Sequence, residues 1–156
     1  MFIYDVAITG AESIDTKISS QKSALIEFYS AFNKGDMGLM SENWVQTEEV
    51  SMSNPLGGVK RGWESIREVY DRIFNGEARV YVEFYGYTIH SSDSMFVAVG
   101  RERGYLEQGE NRIDLSIRTS RIYRMDCNKW HQIHHHGSIE DPSLLEKYQV
   151  SVLGKK

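Results

Sequence analysis

The sequence is poor in the residues that mark several protein classes. It contains one cysteine, Cys127, and two prolines among 156 residues. A lone cysteine excludes an internal disulfide and any metal site built from several cysteines, and it favours a reducing compartment. Two prolines leave no proline-rich linker between domains. We therefore predict one folded domain with a cytoplasmic location.

The sequence also has no excess of positive charge and no long apolar run. Its 18 basic and 22 acidic residues give a formal net charge of -4. This balance offers no general attraction to nucleic acid or to an anionic membrane surface. No stretch approaches the roughly 18 to 20 uncharged apolar residues of a membrane span. We predict neither nucleic acid nor a membrane as a partner.

The first half of the chain has a helical pattern. Apolar residues recur at helical spacing in three stretches, which predict helices at 21–33, 37–44 and 62–74. The serine pair at 19–20 and Asp36 precede the first two as helix caps. Residues 1–20 form a weakly patterned N-terminal extension. We place one domain at 21–143 and a tail or short helix at 144–156, with Asp141 and Pro142 at the start of that last helix.

The second half alternates between apolar and polar residues, as strands do. The period of two runs from Val80 to His90, with a predicted bulge at Gly86, and from Met95 to Arg103. Two further strands follow within 112–138. Helices before an antiparallel meander predict an α+β fold, a cone-shaped curved antiparallel sheet with the N-terminal helices packed on its concave face.

The last two strands form a hairpin that holds most of the histidines. If Cys127 and Asn128 are the two central turn residues, Arg121 pairs with His134 and Tyr123 pairs with Gln132. One face then carries Arg121, His134 and His136. A three-residue turn would shift this pairing by one residue and exchange the faces.

These motifs resemble those of a known superfamily. They are a first helix ending in Asn-x-Gly-Asp, then Asn-Pro-x-Gly, an Arg-Gly-Trp helix and a closing Trp-x-x-Ile-His-x-His-x-Ser. The order is similar to that of the SnoaL-like, nuclear transport factor 2-like superfamily. The closing strand, Lys129 to Ser138, is most similar to the calcium/calmodulin-dependent kinase association domain and its free-standing bacterial relatives.

The resemblance implies a cone that dimerises, with a pocket beneath the helices. It also implies pocket arginines on the two central strands, where this chain has Arg101 and Arg121. The ketosteroid isomerases of the superfamily have a tyrosine and an aspartate at positions that match Phe28 and Asn54. Phe cannot donate a hydrogen bond and Asn cannot accept a proton near neutral pH, so that acid and base pair is absent.

Arg101 and Arg121 are the main candidates for binding. Two guanidinium groups facing one pocket would repel unless an anion lies between them, and a forked donor suits a carboxylate. We predict that both arginines converge with His134 on a small anionic molecule. The alternative is an internal salt bridge, for example to Glu83 or Glu102, or simple exposure to solvent.

Three further residues, His136, Asn54 and Tyr70, complete the predicted site. His134 and His136 have a spacing that binds zinc or iron if a third ligand converges, but no second carboxylate motif accompanies them. We predict no metal and no cofactor. Asn54 is placed either to donate a hydrogen bond into the pocket or only to end its strand. Tyr70 is placed to stack on a ligand, although aromatic residues at this spacing usually fill a core.

Two functions remain open on the sequence. The first is a small-molecule-binding protein with a cationic pocket for a carboxylate-bearing ligand, and the sequence leaves open whether it catalyses a reaction. The second is a catalytically silent dimerisation module. In either case we predict a homodimer formed by the outer sheet face, on which we place Phe96, Ile122 and Ile133, because such a face is costly to leave in water.

Overall fold

The computed structural model describes residues 1–14 and 20–154. Residues 15–19, which include part of the predicted extension and Ser19 of the proposed cap, and residues 155–156 of the tail lie outside the described part. Helices and short strands come first, then four long strands, then a last helix. The elements are α1 (Gln21–Lys34), α2 (Met37–Asn43), β1 (Ser51–Ser53), β2 (Lys60–Arg61), α3 (Trp63–Asn75), β3 (Arg79–Ser91), β4 (Met95–Gln108), β5 (Asn111–Asp126), β6 (Lys129–Ser138) and α4 (Pro142–Leu153).

The helices begin at the residues that the sequence indicates. Ser20 Oγ accepts the backbone N–H of Ser23 at 3.0 Å, and Asp36 Oδ1 accepts that of Leu39 at 3.0 Å. Asp141 accepts the N–H of Ser143 at 2.8 Å at the start of α4. Each cap satisfies a backbone donor that the first helical turn leaves unpaired.

The strands form one curved sheet in the order β2-β1-β6-β5-β4-β3. Every neighbouring pair is antiparallel except β1 and β6, which are parallel. The predicted α+β fold with a curved sheet is confirmed, and the structure shows that the sheet is not closed. None of the helices in the described residues is long and apolar enough to cross a membrane.

The two faces of the sheet differ in burial. On β4 the buried residues alternate with exposed ones, and the buried set faces the helices. Phe96 belongs to this inner face, where it stacks on Tyr123 at a ring distance of 4.8 Å. Our placement of Phe96 on the outer face was therefore wrong. Ile122 pairs with Val97 and lies on the outer face.

The closing hairpin has the predicted turn and an unpredicted bulge. Cys127 and Asn128 have φ values of 51° and 60°, as the two central residues of a two-residue hairpin turn require. Tyr123 pairs with Gln132 as predicted, but the next pair is Ile122 with His134. One extra residue, Ile133, is inserted there, and such a bulge reverses the face of every residue that follows.

The N-terminal extension is packed against the domain. Tyr4 and Ile8 form antiparallel bridges to Tyr87 and Phe84 along the edge of β3. Ile8 is buried, and a side chain on Gly10 would lie 2.3 Å from the backbone nitrogen of Ser30 in α1. The extension thus covers the edge of β3, which would otherwise expose unpaired backbone groups.

Candidate functional site

Arg121 lies at the centre of a buried polar network on the inner face. Its Nη2 donates to Glu102 Oε2 at 3.0 Å, its Nη1 to Gln132 Oε1 at 2.9 Å and its Nε to the Tyr29 hydroxyl at 3.2 Å. The guanidinium also lies 3.5 Å from the centre of the Phe28 ring, a cation–π contact. The strands β4, β5 and β6 and helix α1 all contribute to this one group.

Glu102 and Tyr29 also bond to each other at the centre of the network. The Tyr29 hydroxyl donates to Glu102 Oε2 at 2.5 Å. The side chains of Arg121 and Glu102 are only 2% and 6% exposed. Burial raises the pKa of Tyr29 well above its ordinary value, so the hydroxyl keeps its proton and serves as a donor. The formal charge of the Arg121–Glu102 pair is zero.

A chain of amides continues the network away from Arg121. Gln132 Nε2 donates to Asn43 Oδ1 at 3.2 Å, and the Tyr123 hydroxyl donates to the same oxygen at 2.9 Å. Asn43 Nδ2 donates to the backbone oxygen of Ala24 at 2.9 Å. Buried polar groups that are fully hydrogen-bonded hold their neighbours in one geometry, so this side of Arg121 is closed.

The other side of Arg121 faces a cavity of about 40 Å³ between the helices and the sheet. A cavity of this size holds on the order of three water molecules. It is smaller than the roughly 300–1,000 Å³ of a typical ligand site. Its walls are mostly apolar, with a polar minority: Phe28, Phe32, Met52, Pro55, Ile73, Val80, Val82 and Ile117, together with Asn54, Tyr70, Glu102, Arg121, His135 and Tyr148.

Several hydrogen-bonding groups on the cavity wall are not used by the protein. The Tyr70 hydroxyl is buried and makes no well-aligned hydrogen bond in the described part of the chain, although Trp44 and Arg121 lie near enough to affect its pKa. Glu102 Oε1 accepts no hydrogen bond from the residues that the structure describes. Three of the five N–H groups of Arg121 are used by the bonds above, which leaves two. Burial raises the pKa of Tyr70 to about 12, and Arg121 and Trp44 oppose that rise.

His135 is the histidine on the cavity wall. It is buried, and its Nδ1 lies 3.3 Å from the backbone oxygen of Ser120. Burial, and then the positive charge of Arg121, hold the pKa of His135 well below its ordinary value. A neutral ring that donates from Nδ1 has a lone pair on Nε2. His135 can therefore accept a hydrogen bond or a proton.

The structure separates the predicted site residues into two groups. Arg121, Asn54 and Tyr70 line the inner cavity. Arg101 and His136 line a different concave region on the outer face. His134 lies apart from both, with its Nδ1 2.7 Å from Ser51 Oγ. The predicted convergence of Arg101, Arg121 and His134 was therefore wrong.

Two features of the sheet explain this separation. Gln108 pairs with Asn111 across a two-residue loop, so Ala98 is the partner of Arg121 and Arg118 is the partner of Arg101. Cross-strand partners share a face, which places the two arginines on opposite faces. The bulge at Ile133 then turns His135 inward and His134 and His136 outward. The sequence predicts the loop between β4 and β5, but it does not predict the bulge at Ile133.

The alternative interpretations of the two arginines are confirmed. Arg121 forms the internal salt bridge to Glu102, and Glu83 pairs with Arg103 instead. Arg101 is exposed and pairs with Glu140 at 2.6 Å. Asn54 Oδ1 accepts the N–H of Leu56 at 3.2 Å, so it closes a turn as well as lining the cavity.

Two residues of the cavity wall, His135 and Tyr148, and one residue of the network beside it, Tyr29, were missed in the sequence. Tyr29 lies on the apolar stripe of α1, which indicated core rather than a hydrogen-bond donor. His135 was assigned to the other face because the bulge was not foreseen. Tyr148 belongs to the tail, and it reaches the core from α4 with 4% exposure. In the described ranges, no group of three or more His, Cys, Asp and Glu side chains could hold a metal ion.

Comparison with known proteins supports the fold. A 2.00 Å structure from Thiobacillus denitrificans, assigned to the calcium/calmodulin-dependent protein kinase type II association domains, aligns with a TM-score of 0.65 at 20% identity, covering 83% of this chain and 100% of its own. A ketosteroid isomerase-like protein from Erwinia carotovora aligns with the same score at 15% identity, over 83% and 100%. A nuclear transport factor 2-like protein from Salmonella enterica aligns at 0.64 and 21% identity, over 74% and 84%.

These identities are low, so the structural likeness shows the fold and not the chemistry. No protein with a curated description matches the sequence. The sequence profile of the SnoaL-like domain, however, matches residues 22–142, which is more than half of the chain. The chain therefore belongs to the SnoaL-like domain family, within the nuclear transport factor 2-like fold.

Proposed function

We propose that this SnoaL-like protein binds a small organic molecule in the inner cavity, with its polar head group against Arg121, Glu102 and Tyr70. The observation that carries the proposal is the Tyr70 hydroxyl, which is buried without a well-aligned hydrogen bond among the described residues at a mostly apolar wall. Leaving such a group unpaired costs roughly 1–3 kcal/mol. A ligand atom that pairs with it recovers that free energy.

The charge of the cavity decides the class of head group. The sequence-based expectation of a cationic pocket for a carboxylate needed two arginines, and the cavity has one. Glu102 balances that arginine, and the unused Glu102 Oε1 would repel a second carboxylate. An uncharged head group with one acceptor and one donor, such as an amide, fits better. Its carbonyl accepts from Arg121 or Tyr70, and its N–H donates to Glu102.

The ligand also needs space that the closed cavity does not have. Tyr148 forms part of the wall, and the neighbouring Gln149 Nε2 donates to the backbone oxygen of Pro55 at 2.9 Å. Helix α4 otherwise contributes three half-buried side chains to the core, Leu144, Leu145 and Val152. A ligand with a ring as its body would displace the Tyr148 side chain from the cavity wall.

Titration calorimetry with benzamide and benzoate tests this proposal, because the two share one body and differ in charge. We expect benzamide to bind the protein more tightly than benzoate. Tyr70→Phe should weaken benzamide binding roughly tenfold, since one hydrogen bond in a buried site is lost. Tyr105→Phe is the matched control, because Tyr105 stacks on Tyr81 away from the cavity. It should leave the affinity unchanged.

Two results would contradict the proposal. Tighter binding of benzoate than of benzamide would instead support the carboxylate-bearing ligand that we expected from the sequence. No binding of either probe in a Tyr148→Ala variant, which enlarges the cavity, would remove the cavity as a binding site. Thermal unfolding of each variant shows whether it is folded before the titration.

A second function, self-association, has its own support. Met95 and Val99 lie on the outer face of β4 with 39% and 41% exposure. Exposed apolar residues on one sheet face mark a surface that gains from burial. We propose that two copies pair through this face as a homodimer. Sedimentation should show a dimer at micromolar concentration and a monomer for Val99→Glu, whereas a monomeric parent protein would contradict the proposal.

The cytoplasmic location is also a proposal. Its support is the exposed free thiol of Cys127, which an oxidising compartment would leave open to intermolecular pairing. Fractionation of cells that express the tagged chain would test it.

A further inference from the structure

The outer face of the sheet carries a pair of arginines that face each other. Arg101 of β4 and Arg118 of β5 are direct cross-strand partners. Like charges in such positions repel and destabilise the pairing. Both side chains are exposed, at 43% and 57%. The arrangement therefore needs negative charge nearby to lower its cost.

A single carboxylate serves both arginines. Glu140 Oε1 lies 2.6 Å from Arg101 Nη2 and 3.9 Å from Arg118 Nε. Arg118 Nε also donates to Ser138 Oγ at 3.1 Å. No other described carboxylate lies within ion-pair distance of either guanidinium. The cluster of Arg101, Arg118 and Glu140 thus has a formal charge of +1, and most of its N–H groups have no partner among the described residues.

The cluster lies beside open space. The concave region over it measures about 640 Å³, within the roughly 300–1,000 Å³ of small-molecule sites. Gly86, with φ of 57° in the bulged part of β3, lines it, and no described atom lies within 4 Å of where its side chain would start. His136 and Ser120 border it from the other side. The region is cationic and open to solvent, and its walls are both polar and apolar.

We propose that this outer cluster binds the phosphate-type dianion of a small molecule. A tetrahedral dianion has enough oxygens to accept from Arg101 and Arg118 together, whereas a carboxylate offers one oxygen to each. When Glu140 turns into solvent, the two negative charges of the dianion match the two positive charges of Arg101 and Arg118. Ser138 and His136 are placed to contribute further hydrogen bonds. The site lies on the opposite face of the sheet from the inner cavity, so it does not depend on that cavity. It shares Val99 with the face proposed for the homodimer, so phosphate binding and pairing through that face compete.

Glu140 acts at this site as an internal competitor. Its carboxylate already occupies the position between the guanidinium groups where an anion would bind. The residue directly precedes Asp141, the cap of α4, and its side chain is 50% exposed, so it can turn into solvent. Removing its charge should therefore increase the affinity for an anion, a direction of change that is unusual for a mutation.

The test is titration calorimetry of the whole chain with inorganic phosphate, at constant ionic strength maintained with chloride. We expect Arg118→Gln and Arg101→Gln each to weaken phosphate binding roughly tenfold. Glu140→Gln should strengthen it several-fold. Arg112→Gln is the matched control, because Arg112 is an exposed arginine of the same strand that pairs with Glu107 elsewhere. It should leave phosphate binding unchanged.

Further probes define the ligand class. Acetate should bind at least about tenfold more weakly than phosphate, and phenyl phosphate should match or exceed phosphate if the ligand is a phosphorylated organic molecule. Free phosphate is the ligand if phenyl phosphate binds more weakly. Sedimentation under the same conditions separates binding from any change in assembly.

Three outcomes would overturn the proposal. They are the same phosphate affinity in Arg118→Gln, Arg101→Gln and the parent protein, weaker binding in Glu140→Gln, and equal affinities for acetate and phosphate. Because all of the substituted side chains are exposed, loss of folding would not explain any of them. Failure of this test leaves the benzamide experiment unaffected.

Discussion

The inner and outer faces of the sheet each hold an arginine paired with a glutamate, and the two pairs differ in their surroundings. Arg121 and Glu102 are almost completely buried, whereas Arg101 and Glu140 are about half exposed. Their shortest N···O distances are 3.0 and 2.6 Å, so distance does not distinguish them. Water screens the outer pair and leaves its members free to exchange partners. The inner pair is shielded from bulk solvent, so a lost partner is not readily replaced.

This difference explains why each face suits a different ligand. The inner pair is neutral as a unit and offers only the groups that it does not use itself. The outer cluster has more cations than anions, and an exposed Glu140 can leave. An uncharged head group inside and an anion outside follow from the same two residue types. The burial of each pair, and the ratio of arginines to glutamates at each face, decide which head group binds there.

The largest expected effect comes from breaking the inner pair. Glu102→Gln leaves the Arg121 charge buried and uncompensated, so we expect the free energy of unfolding to fall by about 3–5 kcal/mol. Glu140→Gln removes the same group from the outer pair and should change it by less than about 1 kcal/mol. Urea unfolding measures both. An equal loss of unfolding free energy in the two variants would mean that burial does not make the inner pair more important for stability than the outer pair.

Replacing both members of the inner pair separates stability from binding. The double variant Glu102→Leu with Arg121→Met removes both charges together, and we expect its stability to lie within about 2 kcal/mol of the parent or above it. The same variant should no longer bind benzamide, because the head-group partners are gone. A double variant as unstable as Glu102→Gln alone would show that the network is needed for folding.

A smaller effect concerns pH. The pKa of His135 is lowered in the folded state by burial and by Arg121, so the unfolded chain binds the proton more readily. Stability should therefore fall as pH decreases below about 6.5, the ordinary value for histidine, and the fall should continue towards the lower folded-state pKa. In His135→Gln this dependence should be shallower. His131 and His134 have smaller decreases in pKa with burial as the main cause, and they account for a remaining slope.

The control for the pH experiment is His90→Gln, because His90 is exposed on β3. Its stability should follow the same pH dependence as that of the parent protein. A slope that is unchanged in His135→Gln would show that His135 does not bind its proton more weakly in the folded state.

The smallest expected effect is at the turn of the closing hairpin. Cys127 has a φ of 51°, which a residue with a side chain adopts at a cost. Asn-Gly is the preferred pair for such a turn, so Cys127→Asn with Asn128→Gly should raise the free energy of unfolding by roughly 0.5–1 kcal/mol. Thermal unfolding would measure the gain. A loss would indicate that the Cys127 side chain makes a stabilising contact.

The sequence by itself determined the local features of this protein. Ser20, Asp36 and Asp141 cap their helices because a short polar side chain satisfies a free backbone N–H wherever it occurs. The Cys127-Asn128 turn and the alternation along β4 follow from equally local rules. Together with the order of the elements, they were sufficient for the α+β cone.

Only the tertiary structure decided which residues share a site. The bulge at Ile133 exchanges His134 for His135 on the inner face, and no local signal in the sequence marks it. The partner of Arg121 became Glu102 because both lie on the inner face of neighbouring strands, where a buried charge needs an opposite charge. Tyr148 reaches the same cavity from the far end of the chain. Burial and pairing between distant segments set these contacts, because they depend on the register of every strand at once.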